Sequence, residues 1–177
     1  QNYPTPNRPW LALLILFLFS GYAPLFAQPC PNSNFVALFT QSDVDNFAVN
    51  YPDCDEITGT VFISNEFFVY TGSDSITNLN GLIGIKSIGK NLEVDNVGLL
   101  EDLSGLDNLE SIGGVLWINE NETLKSLHGL EGLTTIEGVI RITGNPSLEN
   151  VNALSGLASF GNSDYEEFGP TQDPSLT

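Results

Sequence analysis

From residue 76 onward the chain repeats its apolar residues every 24 positions. Leu82, Leu106, Leu130 and Leu154 stand in register. So do Leu79, Leu103, Leu127 and Val151, then Ile85, Leu109, Leu133 and Leu157, then Ile88, Ile112, Ile136 and Phe160. Ile76, Leu100, Leu124 and Leu148 open the units, and Gly81, Gly105 and Gly129 form one glycine column with Ala153 in the fourth place. A period of this length means stacked units, each burying its apolar face against the next.

Spacing within a unit decides what stacks. Apolar residues at 76, 79, 82, 85 and 88 step by three. On an α-helix each such step drifts by about 60°, so five of them wind around the helix instead of lining one face. Interior glycines weaken a helix further. Each unit ends differently, on an alternation that reads as a strand: Leu92-Glu93-Val94, Leu116-Trp117-Ile118, Ile140-Arg141-Ile142. Equivalent strands from successive units are expected to lie side by side in a parallel sheet. The segment Ile57 to Ile63 copies Ile88 to Val94 and marks an earlier coil. Thirteen positions separate Ile63 from Ile76 and only six separate Val94 from Leu100, which predicts a loop of seven extra residues around Glu66 to Ser75, with Phe67, Phe68 and Tyr70 in it.

The ends read as caps. Thr40 to Asp43 ahead of Val44, Phe47 and Ala48 predicts a capping box and a short amphipathic helix over 41–50, lying on the first coil. At the other end the next strand positions hold Asp164 and Glu166, so the repeat stops. Tyr165 and Phe168 are expected over the last coil, and residues 162–177 are expected to form a disordered tail.

Residues 1–27 read as an address. Arg8 precedes an apolar run from Trp10 to Phe19, broken by Gly21 and Pro24, with Ala27 at the expected cut: a cleaved secretory signal peptide. A membrane anchor is the alternative, but the run stops well short of the roughly 20 apolar residues a spanning helix needs. The chain holds no methionine, as expected if its own start is missing. Export makes the cysteines readable: Cys30 and Cys54 are the whole set and are expected to pair in an oxidising compartment, with two free thiols as the alternative. With one histidine, His128, a zinc site has too few ligands.

Charge excludes partners. Five basic residues against 22 acidic give a formal charge of -17, which disfavours both nucleic acid and an anionic membrane surface. Spread through the repeats, the acids read as a solvated surface. Asp95, Glu120 and Glu122 could supply a carboxylate pair for glycoside hydrolysis, but nothing marks two of them out. Nothing frames His128 as a triad member, and the glycines follow the coil period instead of forming a phosphate loop. Calcium at acidic turns stays open as an alternative, although the calcium-binding nonapeptide pattern of other β-helices is missing. No cofactor and no metal are expected.

The order Cys54-x-x-Ile57-x-Gly59-x-Val61-x-Ile63, followed by Leu-x-x-Leu-x-x-Ile-x-Gly-x-x-Leu-x-Ile units, resembles the receptor L-domain family. Such domains form the ligand-binding lobes of insulin and epidermal growth factor receptors and also occur in fungal wall proteins. The stretches QSDVDNFAVNYPDCDEITG and LNGLIGIKSIGKNLEV are most similar to exported leucine-rich-repeat-like proteins of Bacteroidetes type. The resemblance spans roughly residues 30 to 161. It implies a mainly β fold: a short right-handed β-helix of about four to five coils over 57–161, with an N-terminal cap over 28–56 that includes the helix and disulfide. It implies no chemistry. The chain shows no second L domain, kinase, C-terminal cysteine pair or sorting module, so receptor signalling does not carry over.

If the paired aliphatics of each strand point inward, Phe62, Glu93, Trp117 and Arg141 point outward as one column. Thr60, Asn91, Val115 and Val139 flank it on one side, and Ser64, Asp95, Asn119 and Thr143 on the other. Trp and Arg are the residue types that dominate interface hot spots, and Trp also stacks on sugar rings. Phe62, Glu93, Trp117, Arg141, Asp95 and Asn119 are therefore the candidate binding residues for a protein or carbohydrate ligand. The plain alternative is a cross-strand ladder with ordinary packing value. Asn121 and Asn145, also 24 apart, read as turn residues that satisfy backbone groups internally. The glycosylation pattern at Asn121 is given no weight. The expected function is a secreted or cell-surface, non-enzymatic binding module. The alternatives are a structural spacer of the cell envelope and, less favoured, a polysaccharide-acting β-helix enzyme.

Overall fold

A computed structural model describes residues 29–65 and 74–161. The expected signal segment 1–27, most of the expected loop around 66–75 and the expected tail 162–177 lie outside the described residues. The chain forms β1 (Phe35–Leu38), α1 (Gln41–Asn50), β2 (Glu56–Ile57), β3 (Thr60–Ser64), β4 (Ser87–Ile88), β5 (Leu92–Asp95), β6 (Ser111–Ile112), β7 (Leu116–Asn119), β8 (Thr135–Ile136), β9 (Ile140–Thr143) and β10 (Ser159–Phe160). All strand pairs are parallel. They build two five-stranded sheets, one in the order β1-β3-β5-β7-β9 and one in the order β2-β4-β6-β8-β10. The architecture is mainly β with one α-helix, and it is compatible with a β-solenoid-like fold.

Register follows the 24-residue period. Val61, Leu92, Leu116 and Ile140 are paired in succession across the first sheet, as are Ile63, Val94, Ile118 and Ile142. Ile57, Ile88, Ile112 and Ile136 are paired across the second. The residues stepping by three between the sheets fill the same core: Ile76, Leu79, Leu82 and Ile85 are buried, and so are Leu100, Leu103, Leu106 and Leu109. Each fully buried aliphatic side chain contributes about 1.5–3 kcal/mol relative to exposure, so the repeated columns carry the fold.

Glycine is needed where coils close in on one another. Gly105 and Gly129 have φ of +108° and +106°, and a Cβ at either would run into the carbonyl of Leu79 or Leu103 in the preceding coil. Gly81, the first of the column, lies beneath α1 against the Val44 carbonyl. Three residues before each position of this column, a polar side chain repeats too: Asn78 Oδ1, Asp102 Oδ1 and Asn150 Oδ1 each accept from the backbone N–H two residues on, at 3.1, 2.9 and 3.1 Å, and Ser126 Oγ does the same for His128 at 3.3 Å. These side chains stand in for a turn hydrogen bond.

The helix caps this stack. Thr40 Oγ1 accepts from the Asp43 N–H at 3.1 Å, while Asp43 Oδ2 accepts from the Thr40 N–H at 2.9 Å, the reciprocal box expected at this position. Gln41 Oε1 accepts from the Thr77 and Asn78 N–H groups at 2.8 and 3.2 Å, tying the helix start to the first coil. Val44 and Phe47 are buried. Ala48, expected on the same stripe, is exposed, because the buried stripe of so short a helix is only two residues wide. Cys30 and Cys54 form a disulfide.

Three further features depart from expectation. β1 was not anticipated: Phe35-Val36-Ala37-Leu38 is apolar throughout, so its period-two alternation is hidden. Ser64, expected on the outward flank, is 1% exposed, at the point where β3 runs into the inserted segment. Phe160, in register with buried Ile88, Ile112 and Ile136, is 54% exposed. β10 is an edge strand, and no strand among the described residues pairs with its far side, so the residue lacks the next layer that covers its predecessors.

Candidate functional site

The first sheet turns one face to solvent. Phe62, Glu93, Trp117 and Arg141 are paired in direct succession through β3, β5, β7 and β9, with Ala37 of β1 ahead of Phe62. Trp117 is 38% exposed and Arg141 is exposed, while Phe62 and Glu93 are half-buried. Leu116 and Ile118 on either side of Trp117 are fully buried, so the pleat forces the indole outward.

The structure gives each candidate a different environment. Phe62 belongs to an aromatic cluster: its ring stacks on Phe35 at 5.9 Å between centroids and meets Phe39 edge-on at 6.1 Å. This cluster accounts for Phe62 by packing. Asp95 and Asn119 belong to a ladder. Asn119 Nδ2 donates to Asp95 Oδ1 at 2.7 Å, and Thr143 Oγ1 donates to Asn119 Oδ1 at 2.7 Å. Glu93 Oε1 accepts from Asn91 Nδ2 at 2.9 Å, and Asn91 Oδ1 accepts from the Val115 N–H at 3.0 Å. Asn91 thus orients one carboxylate oxygen of Glu93.

Arg141 stands apart. Four basic side chains lie among the described residues. Lys86 pairs with Asp55 at 3.4 Å, Lys125 pairs with Glu101 at 2.9 Å, and Lys90 donates to Asn34 Oδ1 at 3.2 Å. Among the described residues the Arg141 guanidinium takes part in no hydrogen bond or ion pair.

Asn121 and Asn145 are structural. Both are fully buried. Asn121 Oδ1 accepts from the Val97 N–H at 2.9 Å and its Nδ2 donates to the Val94 carbonyl at 3.0 Å. Asn145 repeats the arrangement one unit later, accepting from the Asn121 N–H at 3.0 Å and donating to the Ile118 carbonyl at 3.1 Å.

Two further places carry polar or concave character. His128 Nδ1 lies 2.8 Å from Glu131 Oε1, and Glu131 Oε2 accepts from the Gly129 N–H at 2.8 Å. The hydrogen bond and charge of Glu131 raise the His128 imidazole above its usual 6.5. Partial burial pushes the Glu131 carboxyl up, but its bonds to His128 and the Gly129 N–H outweigh that and hold it below its usual value. The pair is exposed and adjoins no cluster of other catalytic groups. A cavity of about 450 Å³ lies between β1 and α1, where Phe35, Leu38, Asp43, Phe47 and Tyr51 line it. Sequence reasoning missed it because β1 itself was hidden.

Among the described residues, no group of three or more His, Cys, Asp or Glu side chains is placed to hold a metal ion. No helix there is long and apolar enough to cross a membrane. Comparison with family models, with curated proteins and with solved structures found no match.

Proposed function

We propose that the chain is a secreted or cell-surface binding module that recognises its ligand through the outward face of the first sheet, with Trp117 and Arg141 as the anchors and without catalysing a reaction. The fold in this reading is a short right-handed β-helix of receptor L-domain type. The disulfide and the lack of a spanning helix among the described residues are compatible with an extracellular place. One observation carries the proposal: an exposed indole lies in register beside a guanidinium, Arg141, that no group among the described residues neutralises. In a chain with 22 acids and five bases, Lys86 and Lys125 find carboxylates and Lys90 an amide oxygen, whereas Arg141 has neither kind of partner among the described residues. The outward carboxylates and amides near it are instead committed to ladders that hold the surface rigid, which lowers the entropic cost of binding.

The test is the double variant Trp117→Ala/Arg141→Ala in a pull-down from the source organism's envelope fraction and on a glycan array, with thermal unfolding alongside. Loss of a wild-type partner at an unchanged Tm supports the module. A wild-type protein that captures nothing, on array or in pull-down, overturns it in favour of a rigid spacer. Turnover on a polysaccharide panel that depends on one carboxylate overturns the non-enzymatic part.

A further inference from the structure

Strands in a sheet lie roughly 4.8 Å apart, so Glu93 and Arg141 flank Trp117 with their Cα atoms about 10 Å from each other. The row therefore has three parts in order: a carboxylate, a flat aromatic platform and a free guanidinium. We infer that this row is a subsite for a hexuronate unit of an acidic glycan. This inference rests on the binding-module reading and names the ligand class for the same surface.

Each part asks for a different feature of one sugar. An indole stacks on the apolar C–H face of a pyranose. Arg141 presents a planar fork that matches a carboxylate in bidentate fashion, and a uronate carries its carboxylate at the rim of the ring, within reach of a group beside the platform. Glu93 on the other side is an acceptor, turned by Asn91, and suits sugar hydroxyls, which are donors. A neutral sugar would leave the guanidinium unmatched. A densely sulfated or phosphorylated chain would meet the repulsion of a protein with a formal charge of -17, whereas one carboxylate per ring, within the roughly 8 Å screening distance at physiological salt, meets mainly Arg141. A protein partner would need a contact surface of about 800 Å² a side, but Phe62 at one end of the column is already taken up by Phe35 and Phe39.

The experiment titrates the mature protein with trigalacturonate and, separately, with its methyl ester, which keeps the rings and removes the charge. It follows the Trp117 indole N–H by NMR and the affinity by calorimetry, for wild type, Arg141→Gln and Trp117→Ala, with thermal unfolding confirming that the variants fold. The acid is expected to bind with a shift of the Trp117 signal, and the ester about tenfold more weakly, the ratio that one charge-assisted contact commonly supplies. Arg141→Gln is expected to bind acid and ester alike, and Trp117→Ala to bind neither. Equal binding of acid and ester by wild type, or a preference for the acid that survives in Arg141→Gln, overturns the uronate assignment while leaving the module standing. No binding of either sugar, with a protein captured through Trp117 and Arg141 in the pull-down, overturns the uronate assignment in favour of a protein interface. No binding of any kind overturns both readings.

Discussion

Asn121 Nδ2 donates to Asn145 Oδ1 at 3.1 Å across two successive repeat units, with both residues wholly shielded from water. Each amide also takes up backbone groups of the coil before it, and Asn145 donates to the Thr143 carbonyl of its own coil as well. The ladder lies directly beyond β5, β7 and β9, where the backbone leaves the first sheet and its polar groups would otherwise be buried without partners.

Replacing Asn121 by leucine leaves the buried Val97 N–H unsatisfied and takes one of two bonds from the Val94 carbonyl, which keeps its place in the β5–β7 ladder. At about 1–3 kcal/mol for an orphaned buried group, the loss is expected to fall in that range. Chemical denaturation of Asn121→Leu, Asn145→Leu and the double variant checks it. The double variant is expected to lose less than the two single losses together, since the two amides share a bond.

Gly105→Ala and Gly129→Ala are expected to be strongly destabilising, by more than the ~1 kcal/mol of a left-handed backbone alone, because the new methyl also meets a carbonyl of the preceding coil. Gly98→Ala is the control. It has open space around it and no positive φ, so it is expected to be neutral or to stabilise by about 0.4–1 kcal/mol through the unfolded chain. Melting curves of the three variants give the comparison, and equal losses in all three would contradict it.

Asn96, Glu120 and Gly144 occupy one turn column with φ of 50°, 54° and 67°. Of these only Glu120 is a residue type that gains little from the left-handed region. Glu120→Gly is expected to raise stability by up to about 1 kcal/mol, the left-handed strain relieved minus the added chain entropy of glycine. A lower Tm for Glu120→Gly than for the parent would show that the Glu120 side chain contributes more than its backbone costs.

The His128–Glu131 pair predicts a sign for pH dependence. The imidazole pKa is raised on folding, so the contribution is fully present below about 6.5 and is lost as pH rises through the higher folded value. The Glu131 carboxyl is lowered on folding, so its part is present above its unfolded value and is lost as pH falls through the lower folded one. Proton NMR of the ring should give a titration midpoint above 6.5, falling toward it in Glu131→Gln. His128→Ala should cost more stability near pH 5.5 than at pH 8.5. An unshifted midpoint would contradict the pairing.

Much of the molecule was readable from spacing. The aliphatic columns, the in-register strands from β3 to β9, the helix over 41–50 and the outward row through Trp117 all follow from a period that repeats in the letters themselves. The rest was hidden for particular reasons. β1 has no alternation to detect, since both of its faces are apolar residues. Ser64 shares its column with Asp95, Asn119 and Thr143, but the inserted segment that follows it breaks the period there. Phe160 matches its column in type, yet lies on an edge strand.

Which side chains go inside and which residues share a column is written in the letters, because a side chain in a strand must alternate and a 24-residue coil must return to the same place. The letters could not say which outward groups would find partners. Asp95, Asn119 and Glu93 are bound to neighbours while Arg141 is not, although all four looked equally available as letters. Stacking of the coils settles that, since a hydrogen bond depends on the distance between residues a full coil apart, and that distance exists only once the coils are stacked.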